Sequence, residues 1–247
     1  MRTRRFRGRL AAAAAVVALA AVGLTPAAAQ AAEGDKNDRV VEQWYVDFLQ
    51  RPAGQSQAQA GRQFWTDRLN AGDSRLRILE SIQSSQEFAD VTVGGYYRKY
   101  LARAADDRGA DFWKNGVRAD MEPEWVEQNI LASQEFADRS GRNPVDEWYA
   151  AVLDTSGTDP ANAGEEEYWV ARAKQVGSLT AVREIWYSGE AVDERVRAAY
   201  AGLLGRTGGS VSTNEVDYWD KTAVAGRLAF QDQIATSDEY AARAQTR

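Results

Sequence analysis

Apolar residues recur three or four positions apart along most of the chain. Tyr45 and Leu49, Tyr97 and Leu101, Tyr149 and Leu153, and Tyr200 and Leu204 are i, i+4 pairs that share one helical face. Trp65, Trp113, Trp169 and Trp219 each have an apolar or small residue four positions on: Leu69, Val117, Ala173 and Ala223. A third set has i, i+3 or i, i+4 spacing: Leu79 and Ile82, Val126 and Ile130, Val182 and Ile185, Phe230 and Ile234. Stretches rich in Gly, Pro and polar residues separate these segments, among them "RPAGQSQAQAG", "DTSGTDPANAG" and "GRTGGSVSTN". No segment alternates apolar and polar residues with β-branched enrichment. The pattern predicts an all-α chain with almost no strand.

The three sets follow one another in the same order four times. Each cycle ends in Ile-x-x-Ser-x-Glu, at Ile82, Ile130, Ile185 and Ile234, and the serines lie 48, 55 and 49 residues apart. Aromatic–Trp pairs precede each copy: Phe64-Trp65, Phe112-Trp113, Tyr168-Trp169 and Tyr218-Trp219. Three of the Tyr-x-x-x-Leu segments continue to Arg, at Arg51, Arg103 and Arg206, while Thr155 takes that place in the third. This is an internal repeat of about 50 residues, with approximate units 39–91, 92–142, 143–194 and 195–247. The expected architecture is four tandem units of about three helices each in one compact array, either an open solenoid or a closed bundle. Residues 32–38 read as a short linker, 39–142 as the better-kept pair of units, and 143–247 as a degraded pair.

"SSQEFADV" (84–91) and "ASQEFADR" (132–139) share five residues. Ser84 with Glu87, and Thr236 with Glu239, fit a capping box, in which a hydroxyl and a carboxylate three residues on satisfy each other's backbone N–H groups. The motif therefore reads as a helix restart, with Phe88, Phe136 and Tyr240 pinned in the core. A packing unit needs four copies; a catalytic motif does not. Arg51, Arg103 and Arg206 read as helix-end residues that bond terminal carbonyls or pair with the Glu of a Ser-x-Glu copy.

Composition changes the picture mainly at the N-terminus. "MRTRRFRGRL" holds five Arg and no acid, Leu10 to Leu24 is an apolar run, and Ala29-Gln30-Ala31 is a small-residue triplet. These are the three parts of a secretory signal peptide over 1–31, and the run is shorter than the roughly 20 residues of a bilayer span. Without that segment 25 basic residues face 36 acidic ones, a net charge of −11. Such a chain is a poor nucleic-acid ligand, since phosphate contacts need clustered Lys and Arg. The expected location is secreted, extracellular or cell-wall associated, with no stable membrane insertion after cleavage. The sequence has no Cys and no His, which removes disulfides, Cys/His zinc sites and His-dependent nucleophilic sites.

Three kinds of site remain. Asp106 to Asp111 ("DDRGAD") and Gly164 to Tyr168 ("GEEEY") concentrate carboxylates, but neither has the ligand spacing of a calcium loop. Calcium is the alternative partner there, and helix-start capping is the ordinary reading. Trp44, Trp125, Trp148 and Trp186 lie outside the repeat register and are candidates for stacking on a glycan, against the ordinary reading that they widen the core. Paired carboxylates can hydrolyse glycans without His, but no acid/base constellation stands out. No catalytic, cofactor-binding or metal-ligating residue is assigned.

Tyr-x-x-x-Leu-x-Arg, then Gly-x-x-aromatic-Trp, then Ser-x-Glu-Phe resembles a family of bacterial helical modules catalogued as a domain of unknown function, number four-two-one-four, itself similar in outline to phycobilisome linker domains. "YVDFLQR", "GRQFW" and "SSQEF" carry the likeness in the first unit, and "YRKYLAR", "GADFW" and "ASQEF" in the second. Unit three departs at Thr155 and Ala191, and unit four at Asn214, near the expected Gly. The resemblance implies an exported, non-enzymatic helical module of the cell envelope, and brings no catalytic residue with it. The expected function is interaction or scaffolding, with a protein or cell-surface glycan as partner. The alternative is a glycan-binding accessory or a carboxylate-dependent glycan hydrolase.

Overall fold

The computed structural model describes residues 26–52, 59–140, 144–153, 163–224 and 230–247, and among them the chain is helical without strands. α1 (Pro26–Leu49), α2 (Gln59–Asn70) and α3 (Arg75–Gln83) are followed by α4 (Gln86–Leu101), α5 (Asp107–Arg118), α6 (Pro123–Leu131) and α7 (Gln134–Ser140). Then come α8 (Pro144–Val152), α9 (Ala163–Val176), α10 (Ser178–Trp186) and α11 (Gly189–Ala199), which runs on into a π-helical turn, Tyr200–Leu204. A 3-10 turn, Gly208–Ser210, precedes α12 (Thr213–Val224), α13 (Phe230–Ala235) and α14 (Asp238–Ala244). Most of the expected signal segment lies outside the described residues. The expected linker 32–38 is part of α1, because Asn37 is buried there and its Nδ2 donates to Asn70 Oδ1 at 2.8 Å. The approximate unit boundaries expected at 91 and 194 fall inside α4 and α11, so they do not coincide with helix ends.

The recurring residues act as helix punctuation. Ser85, Ser133, Ser188 and Ser237 accept from the backbone N–H three residues on, at Phe88, Phe136, Ala191 and Tyr240, over 3.1–3.3 Å. The expected capping boxes at Ser84 and Thr236 do not form. Those hydroxyls donate backwards, to Glu80 O at 2.9 Å and Asp232 O at 2.8 Å. With the cap one residue later, Glu87 sits at the second helical position and turns to Arg51 instead. At the other end of the cycle, Gln50, Ala102 and Gly205 adopt left-handed φ of 52°, 49° and 66°. The next N–H, of Arg51, Arg103 or Arg206, returns to the carbonyl of Tyr45, Tyr97 or Tyr200, a 7→1 bond, one residue wider than the 6→1 bond of a Schellman stop.

That stop aims each Arg. The guanidinium lies 4.6, 4.8 or 5.0 Å from the ring centroid of its own Tyr. It then reaches Glu87, Glu135 (2.9 Å) or Glu239 (3.4 Å). The expected pairing thus occurs three times. Thr155 lies outside the described residues, and Glu190, its would-be partner, is exposed. The Tyr hydroxyl has its own task. Trp169 Nε1 donates to Tyr149 at 2.7 Å and Trp219 Nε1 to Tyr200 at 3.1 Å, and Trp65 and Trp113 pair likewise with Tyr45 and Tyr97. Gly61 and Gly109 make room for two of these phenols, since a Cβ there would lie 3.0 and 2.8 Å from the Tyr45 and Tyr97 hydroxyls.

α1 lies on α2, α4 on α5, α8 on α9 and α11 on α12, while α6 meets α10 and α3 meets α13. The first and last described helices also meet, because α14 lies along α1. Trp44 Nε1 donates to Ala235 O at 2.9 Å, Tyr240 Oη to Asp47 Oδ2 at 2.8 Å, and Arg75 Nη1 pairs with Asp238 at 2.7 Å. The array is therefore closed rather than an open solenoid. Trp148 Nε1 makes the same bond to Leu131 O at 2.8 Å within the chain. Leu131 and Ala235 both follow the Ile of Ile-x-x-Ser, so the seam repeats the chemistry of an internal junction. One apolar core runs from Val40 to Ala244.

Candidate functional site

Of the four Trp residues considered for glycan contact, Trp44, Trp148 and Trp186 are buried core residues. Trp125 is 47% exposed, with the Arg183 guanidinium 5.2 Å from its ring centroid. The other prominent exposed aromatics are Phe64, Phe112, Tyr168 and Tyr218, each 52–64% exposed. They are the first members of the four aromatic–Trp pairs. Each ring meets its Trp edge-on, with centroids 4.7–5.0 Å apart. Adjacent helical residues point about 100° apart, so a Trp turned inward leaves its predecessor outward. That step was available in the sequence. Gln63, Asp111, Glu167 and Asp217 precede the four rings.

The acidic stretches do ordinary work. Asp106 caps α5, accepting from Gly109 N at 2.7 Å and pairing with Arg103 at 2.8 Å. These contacts, the Gly109 N–H first, hold its carboxyl below the usual range. Asp111 is exposed, and Glu165, Glu166 and Glu167 lie in the first turns of α9. Among the described residues no three His, Cys, Asp or Glu side chains converge as a metal-holding group. A full capping box occurs where none was expected. Ser212 N donates to Glu215 Oε2 at 2.9 Å, and Glu215 N donates to Ser212 Oγ at 3.3 Å.

The chemically distinctive place is where α4, α6, α10 and α11 meet. Glu124 and Glu127 lie one turn apart on α6. In repeat register Glu124 stands opposite Leu76, Leu179 and Leu228, and Glu127 opposite Leu79, Val182 and Gln231. Tyr100 Oη donates to Glu127, and Tyr96 and Lys99 also face that carboxylate. From α11, Arg195 Nη2 donates to Trp186 O at 2.5 Å, and its guanidinium lies 4.4 Å from the Trp186 ring centroid. Arg195 Nε and Nη1 are buried without a hydrogen-bond partner, and the buried Trp186 indole N–H faces Glu124. Burial pushes the Glu124 carboxyl up to about 8, against the opposing pull of Arg195 and with Glu127 and Glu122 adding to the rise. Burial also raises Glu127 and lowers Arg195 to about 10.

No family model, curated protein or solved structure matches the chain.

Proposed function

We propose that the protein is a non-enzymatic interaction module of the cell envelope, built from four related units of about three helices closed into one array, and exported after loss of residues 1–31. The observation that carries this reading is the quartet of outward rings. Phe64, Phe112, Tyr168 and Tyr218 occupy one register position on four different helices. A closed array spreads such equivalent positions around its outside, which suits a partner with repeated elements, such as a cell-wall glycan whose sugar faces stack on aromatic rings. The resemblance to exported helical modules points the same way.

The test is incubation of the purified chain with isolated peptidoglycan, followed by sedimentation and analysis of the released material. Sedimentation without release, weakened by Phe64→Ser, Phe112→Ser, Tyr168→Ser and Tyr218→Ser together, is the expected result. Absence of sedimentation overturns the glycan as partner. Glu124 and Glu127 favour one second reading, a carboxylate-dependent glycan hydrolase; muropeptide release abolished by Glu124→Gln would establish it. N-terminal sequencing of the protein from the culture medium tests export, with a start near Ala32 expected.

A further inference from the structure

The four-helix junction is the one place where several departures from the repeat converge. Glu124 replaces the Leu found at the other three equivalent positions. Glu127 stands where Leu79 and Val182 stand. Tyr96 replaces Trp44 and Trp148, and Tyr100 replaces Phe48, Val152 and Leu203. Arg195 stands where Thr92, Ser140 and Ala244 stand. These positions are far apart in sequence and belong to three helices. Independent drift would scatter polar residues over the array; here they face one another.

The cluster is also internally mismatched. Glu127 has the Tyr100 hydroxyl bonded to it, with Tyr96 and Lys99 close by. Glu124 makes no ion pair with Arg195 among the described residues, although the Arg195 charge pulls on it. Two buried N–H groups of Arg195 at that place have no acceptor, while the Trp186 indole N–H faces Glu124. A charged carboxylate beside them would pair. A neutral carboxyl need not, so the arrangement fits the protonated acid.

We infer that this junction is a proton-operated latch: with a proton on Glu124, α6 stays seated on α10 and α11, and loss of that proton loosens the seat. Ionised Glu124 would join Glu127, and Glu122 at the N-cap, on little more than one turn of α6. The charged groups facing them are Lys99 on α4, at the rim, and Arg195 on α11, with the phenols of Tyr96 and Tyr100 on α4 and Tyr187 on α10. Lys99 at the rim pairs with Glu127 at 3.9 Å, Glu122 is exposed, and Arg195 is held on Trp186 O, so a newly charged Glu124 has no ion-pair partner in place. Relief requires α6 to shift so that the new charge reaches Arg195 or water. The raised Glu124 carboxyl agrees in sign. Across the window from its ordinary value up to about 8, the folded state holds a proton that the unfolded chain has released. Rising pH through that window therefore favours opening. The chain has no His to mask the effect.

The test is hydrogen exchange with mass spectrometry on the purified chain at about pH 6 and about pH 9, either side of the Glu124 transition. After correction for intrinsic exchange rates, peptides covering 122–131 and 178–197 are expected to lose at least about tenfold of their protection at the higher pH, the equivalent of one pKa unit. Peptides of α2 and α12 should change less. Glu124→Gln, which keeps the shape and cannot ionise, should remove most of the difference. The latch is refuted if wild-type protection at the junction is the same at both values, or if Glu124→Gln keeps the full difference. Should Glu124→Gln fail to fold, the wild-type comparison still decides.

Discussion

Trp44→Phe should destabilise the protein as much as Trp148→Phe does. Trp148 lies at an internal junction and Trp44 at the seam where α1 meets the end of the chain, yet both indoles are buried and both donate to the carbonyl after a repeat Ile. Replacing either by Phe removes the outer part of a bicyclic ring from a filled core, which costs about 2 kcal/mol by comparison with larger aromatic truncations. It also leaves the Ala235 or Leu131 carbonyl without its side-chain donor, at about 1 kcal/mol. The sum, about 3 kcal/mol, corresponds to a fall in Tm of about 6–12 °C for a chain of this size. Thermal melts followed by circular dichroism, with urea midpoints as a second readout, give both numbers. In an open array Trp44 would stand at a free end and the substitution would cost almost nothing. A Trp148→Phe loss with an unchanged Tm for Trp44→Phe would therefore refute closure, and two unchanged melts would refute the packing role of both.

Phe88→Ala and Phe136→Ala should behave as twins, each costing on the order of 3 kcal/mol in urea denaturation, because both rings are buried at the same register position; two unshifted midpoints would reopen "SQEFA" as a recognition surface. Ala102→Gly should stabilise the chain by about 0.5–1 kcal/mol, since Ala102 holds a φ of 49° that Gly205 adopts at the equivalent helix stop without a Cβ to strain; a lower urea midpoint would contradict it. Glu215 is held down at about 2 by Arg206 first and then by the Ser212 backbone and hydroxyl. Its stabilising share is therefore present above the ordinary carboxylate range and lost as pH falls towards about 2. Glu215→Gln should shrink the stability difference between about pH 5 and about pH 2, read from urea midpoints at each pH.

Local physics was legible and distant closure was not. The i, i+4 pairs place helices because a helical face has a fixed period, and they did so around Tyr45, Tyr97 and Tyr149, whereas Tyr200–Leu204 forms a π-helical turn after α11. The caps were misplaced by one residue because "SSQE" offers two adjacent hydroxyls, and sequence alone does not say which backbone leaves the helix. Ser84 ends α3 while Ser85 opens α4. The seam joins Tyr240 to Asp47, 193 positions apart, and no local pattern encodes such a contact. Glu124 was hidden for another reason. A Glu near a helix start reads as a solvated or dipole-favoured charge, and only alignment against Leu76, Leu179 and Leu228 marks it as an acid in an apolar position.

The departures at the four-helix junction follow from one another. At two junctions the carbonyl after the repeat Ile is served by an indole, Trp44 on Ala235 and Trp148 on Leu131. The next unit has Ala199 where that Trp would stand. The carbonyl concerned, Trp186 O, is served by Arg195 instead. An Arg brings a charge that burial disfavours, which is why its guanidinium is pulled down to about 10. Carboxylates on the facing helix compensate for a buried cation, and Glu124 and Glu127 provide two of them in place of Leu and Val. Lys99 reaches Glu127 only from the rim, at 3.9 Å, and Arg195 makes no ion pair with Glu124, so each acid also needs hydroxyls or its proton. Tyr100, with Tyr96 alongside, supplies the first remedy to Glu127, and the raised Glu124 carboxyl is the second. The absence of a single indole thus leads, through ordinary charge and hydrogen-bond requirements, to an acid whose carboxyl is pushed up to about 8 by burial in a helical array without histidine.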